Sequence, residues 1–104
     1  MLTLDKNALT AISKIGELFT SINEIVLFGS RVTEVNNNTS DIDLAIKGNI
    51  TYADILAISG LLNDESPTPY EYDVVHYETI INEEFKNQID QHGIIIWSCT
   101  KVIE

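Results

Sequence analysis

Residues 24–46 read EIVLFGSRVTEVNNNTSDIDLAI, and this stretch decides the fold. It opens with a continuous apolar run that is closed by Gly29, a pattern that predicts a short buried strand from Glu24 to Phe28. The asparagine-rich segment 36–39 is predicted to be a loop, because asparagine tolerates left-handed backbone angles and competes for local hydrogen bonds. The stretch is therefore a strand, a glycine turn, a loop and a second strand.

The second predicted strand, Ser40 to Ile46, carries two carboxylates on one face. Asp41 and Asp43 are separated by one apolar residue, and side chains alternate along a strand, so both point the same way. Two adjacent like charges repel, and a fold tolerates them when a cation lies between them, most simply a hard divalent ion. Mg²⁺ uses one or two carboxylates and leaves its other positions to water and phosphate oxygens.

The turn at Gly29 and Ser30 is a candidate phosphate-binding element. Glycine lets the backbone approach a ligand closely, and a helical turn after it would direct N–H groups toward an anion. A short helical turn is predicted from Arg31 to Val35. Together with the two aspartates, the stretch predicts a metal site beside a phosphate-binding turn.

Composition restricts the class of protein. The chain has 104 residues, which predicts a single domain over residues 1–104. Six basic against sixteen acidic side chains give a net charge of −10, which argues against direct nucleic-acid binding and favours a basic protein partner. No apolar run approaches the ~20 residues of a membrane span, and no signal peptide is recognisable, so we expect a cytoplasmic protein without membrane contact.

The flanking sequence predicts three helices. Apolar residues at spacings of three and four indicate a helix from Asp5 to Ile22, capped by Thr3 or Asp5, in which Gly16 marks a close contact. A second helix is predicted from Thr51 to Leu62, with an apolar face that includes Tyr52 and Leu56 and with Asn49 or Thr51 as its cap. The third is predicted from Glu78 to His92 on Ile81, Phe85 and Ile89, with Gly93 just past its end.

Two further strands complete the predicted fold. One runs from about Tyr70 to Tyr77 and contains Asp73, a residue that is uncommon within strands and so calls for a reason. The other is the closing run from Ile94 to Trp97. The order of elements predicts an α/β (α+β) fold in which a small mixed sheet of about four strands is covered by helices.

The spacing of these motifs resembles a known signature. Gly29 and Ser30, ten intervening residues and then Asp41-Ile42-Asp43 are similar to the motif of the DNA polymerase beta-like nucleotidyltransferase superfamily, and most of all to its minimal nucleotidyltransferase (MNT) branch. Asp73 matches the third acidic position of that branch. The resemblance covers nearly the whole chain and implies the polymerase beta-like nucleotidyltransferase fold.

The resemblance also implies roles for individual residues. Asp41, Asp43 and Asp73 would be the catalytic and metal-binding carboxylates, with Asp73 also activating the acceptor hydroxyl. Two Mg²⁺ ions and ATP as substrate are implied with them. The nucleotide-binding candidates are Gly29 and Ser30 at the triphosphate, Arg31 at a phosphate, and Ser40.

The function implied is transfer of AMP from ATP to a hydroxyl, most simply a tyrosine, of a HEPN-domain toxin. Proteins resembling this chain are commonly the antitoxins of such toxins. One alternative is a non-catalytic antitoxin that neutralises its toxin by binding. It gains weight from the segment VTEVNNNT, where relatives usually have a glycine and small or basic residues but this chain has the acidic Glu34. Another alternative, a small-molecule nucleotidyltransferase, is disfavoured because such enzymes need added residues to form an acceptor pocket.

Overall fold

The computed structural model describes residues 4–33, 41–66 and 68–99. Four α-helices and four β-strands lie within these ranges, in the order α1 (Lys6–Leu18), β1 (Ile22–Phe28), α2 (Ser30–Thr33), β2 (Asp41–Gly48), α3 (Tyr52–Gly60), β3 (Glu71–His76), α4 (Glu83–His92) and β4 (Ile94–Ser98). A π-helical turn, Leu61–Glu65, continues α3, and a 3₁₀ turn, Tyr77–Thr79, follows β3. In this part of the chain no helix is both long and apolar enough to cross a membrane.

The four strands form one mixed sheet, as predicted, and their order in the sheet is β3-β2-β1-β4. Strand β1 is antiparallel to both β2 and β4, whereas β2 and β3 are parallel. A parallel pair requires a crossover connection, and α3 with its π-helical turn supplies it. The carboxylate-bearing strand β2 therefore lies inside the sheet, with a partner on each side.

Both faces of the two central strands are covered. Helices α1 and α3 contribute to the larger core, whose fully buried strand residues are Ile22, Ile25, Leu27, Ile42, Leu44 and Ile46. The opposite face carries a smaller cluster of Val26, Ala45 and Ile89, the last from α4. Burial on two sides explains why β1 reads as a continuous apolar run.

Helix α1 begins as predicted but ends earlier. The Asp5 side chain accepts a hydrogen bond from the Ala8 N–H (2.9 Å), so Asp5 is the N-cap, while Thr3 lies outside the described residues. The helix ends at Leu18, and Ile22 belongs to β1 rather than to the predicted helix. The apolar spacing was misleading because Phe19, after the helix, and Ile22, in the strand, pack against the same core.

Helix α4 begins at Glu83 and not at Glu78, which corrects the predicted boundary. Asn82 caps it by accepting a hydrogen bond from the Phe85 N–H (2.9 Å). The Glu78 carboxylate instead accepts from the Gly48 N–H (3.2 Å). Ile81 therefore lies before the helix with 94% of its surface exposed, and its predicted place in the core is wrong.

The crossover between β2 and β3 is held at both ends. Thr51 and Asp54 form a reciprocal capping box at the start of α3, as the prediction of Thr51 as cap required. Tyr52 and Leu56 point to solvent, contrary to the predicted apolar face. At the far end the Asn63 side chain accepts from the Tyr72 N–H (2.7 Å) and donates to the Tyr72 carbonyl (3.0 Å). This pairing covers part of the free edge of β3.

Candidate active site

The register of β2 and β3 brings the predicted carboxylates together. Asp43 lies directly opposite Asp73, and Asp41 lies opposite Glu71. All four side chains point to the sheet face that α4 partly covers, because the intervening Ile42 is fully buried on the other face. Directly opposite residues on neighbouring strands are close enough to interact, so the fold creates a compact acidic group on one face.

Gly29 completes one side of this group. Its φ of +81° lies in the left-handed region, where glycine is favoured, and it directly follows β1. A Cβ atom built on Gly29 would lie 2.3 Å from Oδ2 of Asp43, so a side chain there would collide with the carboxylate. The turn thus needs glycine for its conformation and also for the close approach of Asp43. Ser30 begins the short helix α2 immediately after this contact.

The apolar side of the site is aromatic. Phe28 pairs with Asp43 in the sheet, and its ring meets the ring of Phe85 from α4 edge to face, with centroids 5.6 Å apart. Phe85 is 36% exposed, so the rings border the carboxylates without enclosing them. The sequence predicted Phe85 as a core residue of a helix, but its position beside the site depended on the packing of α4.

Arg31 is the only charged side chain that is buried among the described residues, with 8% of its surface exposed. Its Nε donates a hydrogen bond to the backbone carbonyl of Asp41 (3.1 Å), and its guanidinium lies over the ring of Tyr70, 5.0 Å from the centroid. The Tyr70 hydroxyl in turn donates to Asp5 Oδ2 (2.7 Å). Arg31 therefore links the start of β2 to the start of α1.

The surroundings of Asp43 favour its protonated form. Burial raises the pKa of Asp43 above its ordinary value, and the negative charges of Asp73 and Asp41 raise it further. In the Arg31 linkage the hydrogen bond from Tyr70 holds the pKa of Asp5 below its ordinary value, and the same bond raises the pKa of Tyr70. Carboxylates that repel one another across a sheet are stabilised by a cation.

The donor set fits a hard divalent cation such as Mg²⁺. Asp41, Asp43 and Asp73 supply carboxylate oxygens, the ligands such ions prefer, from two adjacent strands. Within the described residues, no three His, Cys, Asp or Glu side chains are already arranged to hold a metal. Repulsion between ionised carboxylates favours rotamers that separate them. The backbone register, rather than a preformed cage, is what matches a cation here.

An open cleft of about 590 Å³ extends from the carboxylates toward the edge of the sheet. It is lined by Asp41, Asn63, Tyr70, Glu71, Tyr72 and Asp73. Sequence reasoning missed Glu71 and Asn63 as site residues. The signal for Glu71 was present, since it lies two positions before Asp73 and thus shares its face, whereas nothing local to Asn63 indicated that it would reach β3.

Not every predicted site residue lies in the described ranges. Gly29, Ser30 and Arg31 follow β1 at the site, and Asp41, Asp43 and Asp73 share one sheet face. Ser40 and the segment with Glu34 and the predicted loop 36–39 lie outside the described residues. The nucleotide-binding roles of Gly29, Ser30, Arg31 and Ser40 remain predictions.

This fold and site agree with the family found by sequence comparison. A family model described as Polymerase beta, Nucleotidyltransferase matches residues 10–101. The chain therefore belongs to this family of nucleotidyltransferases, and the family predicted from the sequence is confirmed. No curated protein sequence matches the chain significantly.

Solved structures share the fold at low sequence identity. A toxin-antitoxin with AMP-PNP superposes with a TM-score of 0.69 at 20% identity, over 88% of this chain and 73% of that chain. The toxin-antitoxin MntA-HepT gives a TM-score of 0.66 at 18% identity, over 91% and 74% of the two chains. The tri-AMPylated Shewanella oneidensis HEPN toxin in complex with MNT antitoxin gives 0.65 at 19% identity, over 88% and 71%. Because the sequence identities are only 18% to 20%, these matches show that the proteins share a fold.

Proposed function

We propose that this protein is a Mg²⁺-dependent adenylyltransferase that moves AMP from ATP to a tyrosine hydroxyl of a HEPN toxin, and so acts as its antitoxin. The observation that carries the proposal is the direct pairing of Asp43 with Asp73, beside a glycine turn that leaves no room for a Cβ atom next to the Asp43 carboxylate. Membership of the nucleotidyltransferase family supports the reaction class.

Different residues of the chain have different roles in the proposed reaction. Asp41, Asp43 and Asp73 would hold two Mg²⁺ ions, which supply charge stabilisation at the attacking and leaving oxygens. Gly29 and Ser30 would bind the triphosphate of ATP, because glycine lets the backbone approach a ligand closely. Asp73 is exposed and borders the cleft, as Asp41 does, and we assign to Asp73 the acceptance of the proton of the acceptor hydroxyl, the role that the family resemblance implies for it.

The proposed transfer forms one bond to phosphorus and breaks another. The acceptor oxygen forms a bond to the α-phosphorus of ATP, and the bond from that phosphorus to the oxygen bridging it to the β-phosphorus breaks. Pyrophosphate leaves with the electron pair, and the hydroxyl proton passes to Asp73. The product is an AMP ester of the acceptor.

The proposed partner follows from charge and from related structures. A net charge of −10 favours a basic protein surface over a nucleic acid. Structures with this fold include an MNT antitoxin in complex with a tri-AMPylated HEPN toxin. A cytoplasmic location remains a prediction from the sequence.

The direct test is transfer of label from α-³²P-ATP to a co-purified HEPN toxin. We expect the wild-type protein to label the toxin with Mg²⁺ present, and Asp43→Asn to lower the rate by at least about 100-fold, because a metal ligand is lost. Glu17→Gln is the matched control, since Glu17 is exposed on α1, which packs on the other face of the sheet. Equal labelling by wild type and Asp43→Asn would refute the proposal, as would no labelling by the wild type.

The second candidate function is neutralisation of the toxin by binding alone, which the excess of sixteen acidic over six basic residues favours. Rescue of toxin-expressing cells separates the two. Loss of rescue by Asp43→Asn, with complex formation intact, supports catalysis. Full rescue by that variant supports binding without chemistry.

A further inference from the structure

The pairing of β1 with β2 ends at Asp43, two residues away from Asp41. The last pair between β1 and β2 is Phe28 with Asp43, so Asp41 has a strand partner only in β3. A residue at the end of a strand with one paired neighbour is easily displaced. The position of the Asp41 carboxylate therefore depends on something other than the β1 ladder.

Arg31 bonds to Asp41 at the point where the pairing with β1 has ended. Its Nε donates to the Asp41 carbonyl at 3.1 Å, joining residues ten positions apart. Because the carbonyl and the carboxylate belong to the same residue, this bond restricts the direction in which the Asp41 side chain leaves the strand. Arg31 as a whole is only 8% exposed, so packing restricts the orientation of its side chain.

Two residues from other elements hold the guanidinium. The Tyr70 ring lies against it at 5.0 Å, and the Tyr70 hydroxyl is fixed by Asp5 at 2.7 Å. Asp5 is itself fixed, because its other carboxylate oxygen caps α1 at the Ala8 N–H. The contacts run without interruption from the start of α1, through Asp5, Tyr70 and Arg31, to Asp41.

We propose that Arg31 is a positioning residue for Asp41, and that Asp5 and Tyr70 keep its guanidinium in place. This role differs from the direct phosphate contact predicted for Arg31 from the sequence. It rests on the metal-binding role of Asp41 in the proposed function. Residues that orient a metal ligand typically change metal affinity about 10- to 100-fold when they are replaced.

The test is to measure Mn²⁺ binding to the purified full chain without nucleotide, with electron paramagnetic resonance as the method of detection. Arg31→Lys keeps the charge but removes the planar group, and we expect it to weaken Mn²⁺ binding about 10-fold or more. Tyr70→Phe keeps the ring and loses only the bond to Asp5, so we expect a smaller loss in the same direction. Tyr52→Phe, at an exposed tyrosine of α3, is the matched control and should bind as the wild type does.

A phosphate-binding role predicts a different pattern. Arg31→Lys would then bind Mn²⁺ as tightly as the wild type and would show only a raised KM for ATP, and this result would overturn the inference. The positioning role instead predicts a lower kcat with a smaller change in KM. If Arg31→Lys does not fold, as judged by circular dichroism, Tyr70→Phe decides, and unchanged Mn²⁺ affinity in that variant overturns the inference.

The outcome is separable from that of the proposed function. Absence of AMP transfer by the wild type, with Mn²⁺ affinity lowered in both variants, would reject the transferase and support the positioning role. Absence of Mn²⁺ binding by the wild type would overturn the positioning role, since it requires Asp41 to be a metal ligand. AMP transfer to the toxin is measured independently.

Discussion

The proposed chemistry needs an ionised Asp43 carboxylate, whereas the fold without a cation is more stable when this carboxyl is protonated. Its neighbours in the sheet are Phe28 on one side and Asp73 on the other, and Gly29 leaves room for its carboxylate. Burial and two negative neighbours raise its pKa, so ionised Asp43 costs the fold free energy when no cation is bound. Under the proposed function, a bound metal ion would offset this cost.

Removing the charge of Asp43 should stabilise the metal-free protein. We expect Asp43→Asn to raise the free energy of unfolding at pH 7 by about 0.2–1 kcal/mol, the scale of a like-charge pair on facing strands. Because the folded pKa is raised, the favourable contribution of the wild-type carboxyl is full below its ordinary 3.8 and is lost as the pH rises through the folded value. The difference between the two proteins should therefore shrink toward pH 4.

Urea denaturation in EDTA at pH 4 and pH 7 measures this effect. Asp64→Asn, at an exposed carboxylate on the π-helical turn, serves as the control and should change stability little at either pH. A less stable Asp43→Asn at pH 7 would contradict the assignment of repulsion to Asp43. Added Mg²⁺ should stabilise the wild type more than the variant.

Among the elements, α1 depends on a glycine that helix propensity alone disfavours. A Cβ atom built on Gly16 would lie 2.2 Å from the ring of Trp97 in β4. The close contact predicted at Gly16 is confirmed, although its partner is a strand residue rather than another helix. The missing side chain lets α1 approach the edge strand of the sheet.

Gly16→Ala should destabilise the protein although alanine favours helices. Replacing glycine inside a helix normally gains up to about 1 kcal/mol, but the collision with Trp97 should reverse the sign, with a net loss of about 1–3 kcal/mol. Gly60→Ala is the matched control: Gly60 has helical angles, and the nearest atom to its built Cβ is 4.0 Å away. Thermal and urea melts should both show that Gly16→Ala destabilises the protein and that Gly60→Ala stabilises it. Stabilisation by both substitutions would contradict the packing of α1.

The side-chain amide of Asn63 pairs with the backbone of β3 at Tyr72. Asn63→Ala leaves the N–H and the carbonyl of Tyr72 without this partner, so we expect a loss of about 1–3 kcal/mol. Asn87→Ala, at an exposed position on α4, should change stability by less than about 0.5 kcal/mol. Hydrogen exchange at the Tyr72 amide should become faster only in the first variant, and unchanged exchange there would refute the pairing.

At the scale of the whole molecule, charge opposes compaction. The net charge is −10; among the described residues, Lys47 lies 3.7 Å from Glu24, and His76 lies 3.2 Å from Glu78 and forms an ion pair with it only when its ring is protonated. Self-repulsion of this size destabilises the compact state and is screened by salt. A basic partner would relieve it as well.

Salt should therefore stabilise the isolated protein. We expect 0.5 M NaCl to raise the Tm at pH 7, by about 4–8 °C for each kcal/mol of repulsion that is relieved. At pH 4.4, the isoelectric point calculated from the sequence, the same salt should leave the Tm nearly unchanged. Differential scanning calorimetry at both pH values measures this, and a fall in Tm with salt at pH 7 would show that specific ion pairs outweigh the net charge.

Local rules were sufficient for the order and type of the elements. The strand before Gly29, the cap at Asp5 and the alternation of Asp41 and Asp43 depend on neighbours within a few residues, and the structure agrees with each. The boundaries of α1 and α4 were predicted less well. Both errors arose because an apolar residue outside a helix can face the same core as the helix, or can face solvent as Ile81 does.

The sequence by itself determined the class of fold and the family, and it placed Asp41 and Asp43 on one face, because side chains alternate along a strand. Tertiary structure alone decided that Asp43 faces Asp73, that Asn63 borders the cleft, and that Arg31 reaches Asp41 while packing on Tyr70, which Asp5 holds in place. Those contacts join residues from ten to sixty-five positions apart or, for Asn63 and Tyr72, lie across the crossover. Strand register and helix packing create them, and no local pattern of residue types encodes either one.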